Sequence, residues 1–391
     1  MLARSLCKIL LVFLFPAFAV AGQEARAPRV VDLTAPDGLK LKGTFSAAAA
    51  SGPGVLLLHQ CNRQRKVWDD LARRMTAAGM NVMTVDLRGY GDSEGTPIDK
   101  LTPEEVDMVF NEKIPLDVET AYQFLVVQPA VSPGILVAGG ASCGVNQSVH
   151  LAMKHPEIKA LVLLSEITDM EGRSFLRAHP SLPLFLATAE DDADPGVSDL
   201  MQWLSTFSTN PHTKFVRYKT GGHGVEMFVA HPELPMSIVD WVTIAVRSPN
   251  VAPAKGSPNA SPVTQFLDAL DQPGAAANAP QLYAEAFGKH PKGAAVSEVV
   301  LNRVGYDHLQ NGDKKGAIAI LKLNASLYPN SPNVYDSLGD AYLADGQKDL
   351  ARQNAHKALD LLAHDTTDPE DRRKAIRDSA EQKLKQLSQP R

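Results

Sequence analysis

From Val30 to about Arg247, short apolar runs of β-forming residues alternate with longer amphipathic ones. GVLLLHQ, MNVMTVD, GILVAGG, ALVLLSEI, PLFLATAE and KFVRYKT read as strands, since short apolar runs bounded by turn residues suit strands covered on both faces. VWDDLARRMTAAG, DVETAYQFLVVQ, VNQSVHLAMKHP and SIVDWVTIAV carry a helical period between them. The alternation predicts an α/β unit, a doubly wound and mostly parallel sheet. The more polar VVDLTAPDGLKLKGTF at its front predicts a hairpin around Asp37-Gly38, an antiparallel edge to that sheet.

The pattern changes at Ser248. SPNVAPAKGSPNASP and DQPGAAANAP are rich in Pro, Ala, Asn, Ser and Gly, with one short helical pattern, TQFLDAL, between them. This composition predicts a linker over 248–280 with too little apolar surface to pack. Residues 281–391 read as helical, and VGYDHLQNGDKKGAIAILKLNASLYPN superimposes on LGDAYLADGQKDLARQNAHKALDLLAH at an offset of 34 residues. Gly305 then falls on Gly339, Gly312 on Gly346, Ala317 on Ala351 and Leu309 on Leu343, while His308 stands where Tyr342 does. This period and these small residues resemble tetratricopeptide (TPR) repeats, at about 297–330 and 331–364. Two copies rarely make a free-standing array, so a small all-α region is expected to lean on the preceding unit, on a second copy of the chain, or on a protein partner.

Residues 1–21 have Arg4 and Lys8, an apolar run from Ile9 to Val20, and small residues at Ala19 and Ala21, the form of a secretory signal peptide. An uncleaved anchor is the alternative reading of the same pattern. Cleavage leaves an α/β unit over 22–247 in a periplasmic or secreted protein without membrane contact. It also takes the formal net charge from −5 to −7. That mild acidic excess, with no basic block, argues against nucleic acid as a partner. Cys7 leaves with the segment, so Cys61 and Cys143 remain, free to pair in an oxidising compartment.

The candidate chemistry begins at Gly140-Ala141-Ser142-Cys143-Gly144, a GxSxG pattern between a predicted strand and a predicted helix. So tight a turn leaves no space for side chains two positions before and after its apex. Gly140 and Gly144 meet this demand around Ser142; around Cys143 the flanking residues are Ala141 and Val145, and the valine clashes. A serine hydroxyl needs a base, and the base needs an orienting acid. PLFLATA runs into Glu190-Asp191-Asp192-Ala193-Asp194, and KFVRYKT into Gly221-Gly222-His223-Gly224, which gives the order serine, acid, histidine.

Together, HQCNRQRKVW, DLRGYGDSEG, GASCG, AEDDADP and GGHG resemble the α/β-hydrolase family, nearest to its dienelactone-hydrolase-like and esterase members, over residues 30–247. The resemblance implies Ser142 as nucleophile and His223 as general base and then acid. The family's small-x-x-Asp spacing from Ala189 selects Asp192 as the acid, with Asp191 and Asp194 as alternatives. The implied oxyanion hole takes the backbone N–H of Cys143 and that of Gln60 or Cys61, although the family commonly has Gly where this chain has Gln60. Both donors must converge on one oxygen, so Cys61 and Cys143 are expected on opposite sides of the hole, as a disulfide or as two small buried thiols.

His59 is expected to hold the oxyanion loop through its ring, and Arg88-Gly89-Tyr90-Gly91-Asp92-Ser93 to turn beside the site with Tyr90 as a possible pocket wall. His150, His155, His179, His212 and His231 have no metal-ligand spacing, and neither metal nor organic cofactor is expected. The segment Thr168–Leu182 is too short for a large lid, which suggests an open cleft for a modest, soluble ester. The expected function is ester or related acyl hydrolysis through an acyl-enzyme. A serine peptidase of the same fold, or a non-catalytic scaffold whose repeats bind a partner, are the alternatives.

Overall fold

The computed structural model describes residues 27–248, 251–288 and 293–388; the expected signal peptide, 1–21, lies outside the described residues. One eight-stranded sheet has the order β1-β2-β4-β3-β5-β6-β7-β8. Its strands are β1 (Arg29–Thr34), β2 (Lys40–Ser46), β3 (Gly52–Leu58), β4 (Asn81–Val85), β5 (Val131–Ala141), β6 (Ile158–Leu164), β7 (Leu184–Ala189) and β8 (Lys214–Tyr218). β1 pairs antiparallel with β2, and β2 with β4; all other pairs are parallel. The chain passes from β3 outward to β4 and then returns across β3 to β5. Such a reversal opens a crevice at the carboxyl ends of the two strands it separates, here β3 and β5.

Helices cover both faces, as the continuous apolar strands require. The helices of the sheet unit are α1 (Asp69–Ala77), α2 (Pro103–Met108), α3 (Ile114–Val126), α4 (Cys143–Lys154), α5 (Met170–Ala178), α6 (Val197–Ser205), α7 (Met227–Ala230) and α8 (Leu234–Arg247). Leu71 and Met75 of α1 and Ile238, Val239 and Trp241 of α8 pack on one face with Val55, Leu57 and Phe185. Val118 of α3, Val145 and Val149 of α4, and Leu200 and Trp203 of α6 pack on the other. Among the described residues no helix is long and apolar enough to cross a membrane.

The stretch 248–280 corrects an expectation. It contains α9 (Pro262–Leu270), capped by Ser261 and Thr264, and Phe266, Leu267 and Leu270 are buried in the same core as α6 and the sheet. Average composition hid this, because three apolar side chains at i, i+1 and i+4 are enough to seat one short helix on a waiting face. The core continues through α10 (Ala279–Phe287) into α11 (Glu298–Gln310) and α12 (Lys314–Leu327), by way of Tyr283, Val300, Leu301, Val304 and Ile320. α13 (Pro332–Ala344) and α14 (Lys348–Leu362) repeat the α11–α12 hairpin 34 residues later, and α15 (Glu370–Ser388) packs Ala380 on Ala355 and Ala358 of α14.

Arg173 of α5 is fully buried beneath this junction. It donates to Asp271 Oδ1 and Oδ2 (2.9 and 3.1 Å), to Asp307 Oδ2 of α11 (2.9 Å) and to the carbonyl of Thr168 (3.0 Å). Arg177 adds bonds to Asp268 (2.8 Å) and Asp271 (2.6 Å). Removing one member of such a cluster strands the others in a dry site. Arg173→Met is therefore expected to cost on the order of 3–5 kcal/mol, measured as a lowered urea midpoint, and an unchanged midpoint would mean the cluster is not dry.

Candidate active site

The crevice between β3 and β5 collects the motifs. β5 ends at Ala141 and α4 begins at Cys143, leaving Ser142 alone at the apex with φ 49° and ψ −127°. Only close approach explains its flanking glycines. A Cβ on Gly140 would lie 2.0 Å from the carbonyl oxygen of Gly144, and a Cβ on Gly144 would lie 2.5 Å from that of Leu58. These contacts put Ser142, rather than Cys143, at the glycine-flanked apex. A second fact supports it: Cys143 is bonded to Cys61 in a disulfide, with Cα atoms 5.8 Å apart. A sulfur so bonded has no thiolate to offer.

The three aspartates after β7 divide their tasks. Asp192 is buried, and its Oδ1 accepts from His223 Nδ1 at 2.7 Å and from the Asp194 N–H at 2.8 Å. Asp191 accepts the N–H of Gly222 at 3.0 Å and so anchors the histidine loop, while Asp194 turns toward Arg303 of α11. The bond to Asp192 is the largest influence on His223 and holds its pKa above the ordinary 6.5 against partial burial, with Glu166 and Asp194 adding to it. With Nδ1 bonded to Asp192, Nε2 is the ring nitrogen free of that bond.

His59 behaves as a brace. The N–H of Leu87 donates to its Nε2 at 3.1 Å, so the ring proton sits on Nδ1, which donates to the carbonyl of Gln60 at 2.9 Å. Complete burial pushes its pKa down and keeps the ring neutral. Tyr90 packs edge-on against it, ring centroids 5.0 Å apart. Burial raises the Tyr90 hydroxyl to about 12. Tyr90 and Cys61 face a pocket of about 770 Å³ that also meets Asn62, Arg63, Lys66 and Pro97.

Gln60 is more than a substitute for glycine. Its side chain is buried; Oε1 accepts the N–H of Val225 at 3.0 Å and Nε2 donates to Asn62 Oδ1 at 2.9 Å. The approach requires Gly224, where a Cβ would lie 2.3 Å from Gln60 Oε1 and φ is +60°. The loop after β3 is thereby tied to the loop that carries His223. Nothing local in the sequence announces this bridge, because its two halves are 165 residues apart.

Two buried ion pairs hold the neighbouring turns. Asp86 takes the Arg65 guanidinium, the Arg65 N–H (2.6 Å) and the Asp92 N–H (2.8 Å). Arg88 is shared between Asp117 (2.6 Å) and Asp37 (2.7 Å). Asp117 lies on the buried face of the largely apolar helix IPLDVETAYQFLV, beside Ile114, Val118 and Ala121.

Residues 52–206 match the family model described as serine aminopeptidase, S33, a model of hydrolases. An uncharacterized protein of Mycobacterium tuberculosis is 29% identical over 160 residues, 40% of this chain and 52% of that protein. The thiohydrolase aneE of Aspergillus aculeatus is 26% identical over 147 residues, 37% of this chain and 43% of that protein. The solved esterase Pf2001 of Pyrococcus furiosus is similar to 56% of this chain over 93% of its own, at 18% identity and a TM-score of 0.44. The chain spans about half the length of the curated relatives it matches. The family match covers the part of the sheet unit that carries Ser142 and Asp192, and stops before His223.

Two outcomes check this geometry. Gln60→Leu strands the buried Val225 N–H and is expected to lose about 1–3 kcal/mol, read as a lower thermal midpoint with unchanged circular dichroism. Protein lacking residues 1–21, denatured without reductant, should titrate no thiol, and two after reduction; two thiols from the outset would exclude the disulfide.

Proposed function

We propose that this chain is a serine hydrolase of ester or related acyl bonds, with Ser142, His223 and Asp192 as its triad. The observation that carries the reading is the His223–Asp192 bond at 2.7 Å, on loops that leave the same sheet edge as the Ser142 elbow. Ser142 Oγ attacks the acyl carbon while His223 Nε2 takes its proton, and the carbonyl π pair moves to oxygen. Asp192 stabilises the imidazolium that forms.

The oxyanion is received by the N–H of Cys143, at the first turn of α4 and so without a helical acceptor, and by that of Gln60 or Cys61. The helix N-terminus adds its positive end. Collapse expels the alcohol, which takes the proton from His223. Water, deprotonated by the same nitrogen, then releases the acid and restores Ser142.

The description of the matched family favours one second reading, an aminopeptidase with the same triad. The disulfide and the signal-like residues 1–21 support a periplasmic or secreted protein. The paired helical hairpins, offset by 34 residues, support the tetratricopeptide likeness and with it a protein-binding role.

A fluorophosphonate probe tests the triad. Wild type and Cys143→Ala should label, Ser142→Ala and His223→Ala should not, and Asp192→Asn should lose roughly 10³–10⁴-fold in rate. A folded wild type that never labels would sink the proposal. His223 must be neutral to act as base and its pKa is raised, so the rate should fall as pH drops through a value above 6.5. Turnover of p-nitrophenyl acetate but not alanine p-nitroanilide would favour the esterase; the reverse would favour the aminopeptidase.

A further inference from the structure

The proposed triad lies in the sheet unit, yet one side chain at its rim comes from the C-terminal helices. Arg303 of α11 donates to Glu166 Oε1 at 3.0 Å and to Asp194 Oδ2 at 3.4 Å, and its Nε lies 3.9 Å from Asp307. Glu166 follows β6, and Asp194 belongs to the loop that carries Asp192. One guanidinium thus spans two loops of the sheet unit. Asp194 is coupled to the acid directly, since its own N–H donates to Asp192 Oδ1 at 2.8 Å.

Apolar contact reinforces the ionic one. The same loop ends at Gly196, the N-cap of α6, with φ +85°. A Cβ there would come within 2.9 Å of Val300 and 3.0 Å of Val299, both on α11. Two turns further on, Asp307 anchors α11 on the buried Arg173. The loop 190–196 is therefore pressed between its own sheet and a helix more than a hundred residues later in the chain.

We propose that Arg303 is a positioning residue of the active site, through which the C-terminal helical region holds the Asp192 loop and Glu166 in register with His223. The inference rests on the reading of Asp192 and His223 as a catalytic pair. In the absence of Arg303, Glu166 and Asp194 face each other near His223 without a counter-charge, and the loop loses its tether on that side. The helical region is then a wall of the catalytic centre as well as a candidate partner surface.

The test uses the full chain. Its two readouts are the rate of labelling by a fluorophosphonate probe and the far-downfield proton resonance of His223 Nδ1–H in its bond to Asp192. Arg303→Gln is expected to slow labelling by about ten- to a hundredfold and to broaden or remove the resonance. Arg303→Lys keeps the counter-charge but not the fork that reaches both carboxylates, so it should keep the resonance and label at a rate between those of wild type and Arg303→Gln; a merely structural contact would leave the resonance unmoved in every folded variant.

If Arg303→Gln fails to fold, Asp194→Asn carries the same expectation in both readouts. Wild-type labelling together with an intact resonance in the folded variant overturns the proposal. A wild type that never labels but shows the resonance defeats the hydrolase reading alone, because the resonance still reports whether Arg303 positions the pair.

Discussion

The first turn of α4 lies directly against the end of β3. Gly144 touches the carbonyl of Leu58, and Gly140 touches Gly144, so the apex residue has one position and one backbone conformation, at positive φ. A serine held there pays strain that the surrounding packing must offset. Its side chain makes no capping hydrogen bond to the helix that follows. The Cys61–Cys143 bond closes the same junction covalently. Loop closure over 82 residues restricts the unfolded chain as well as the site.

Around that junction the loops are held by charge rather than by apolar surface. Asp86 with Arg65, Asp117 with Arg88, and Asp271 with Arg173 each place a nearly inaccessible carboxylate beside a buried guanidinium. Desolvation makes such pairs poor sources of net stability. What they supply is direction: a guanidinium with five donors and a fixed plane accepts few arrangements of its partners. Each pair joins segments 21, 29 or 98 residues apart in the sequence. Gln60 does the same work without charge, by bridging the loop after β3 to the loop of His223.

The C-terminal helices enter this scheme as a third party. Their apolar faces continue the core of the sheet unit through Phe266, Tyr283, Val300 and Val304. Their carboxylates complete the coordination of Arg173 and Arg177, while Arg303 serves the carboxylates at the crevice. The two helical hairpins share a small core of their own, with Leu321, Val334, Leu338, Ala341 and Ala351, and leaning on a larger neighbour adds to it. α15 closes the outer end, with Lys383 buried between Asp336 and Asp340.

The sequence by itself determined what depends on near neighbours. Alternating strands and helices, the Asp37-Gly38 hairpin, the glycines around Ser142 and the 34-residue offset are all short-range patterns, set by backbone sterics and side-chain period. The glycines that put Ser142 rather than Cys143 at the apex were legible for that reason, whereas the spacing from Ala189 to Asp192 pointed to an acid only through the family resemblance. Only the tertiary structure decided the rest. Whether Asp191, Asp192 or Asp194 meets His223 depends on loop directions that differ by a few ångströms. The seating of α9 depended on a face of α6 that composition does not display. The bridges from Gln60 to Val225 and from Arg303 to Glu166 join residues more than a hundred positions apart, and a contact between such residues exists only once the sheet has brought their loops to one edge.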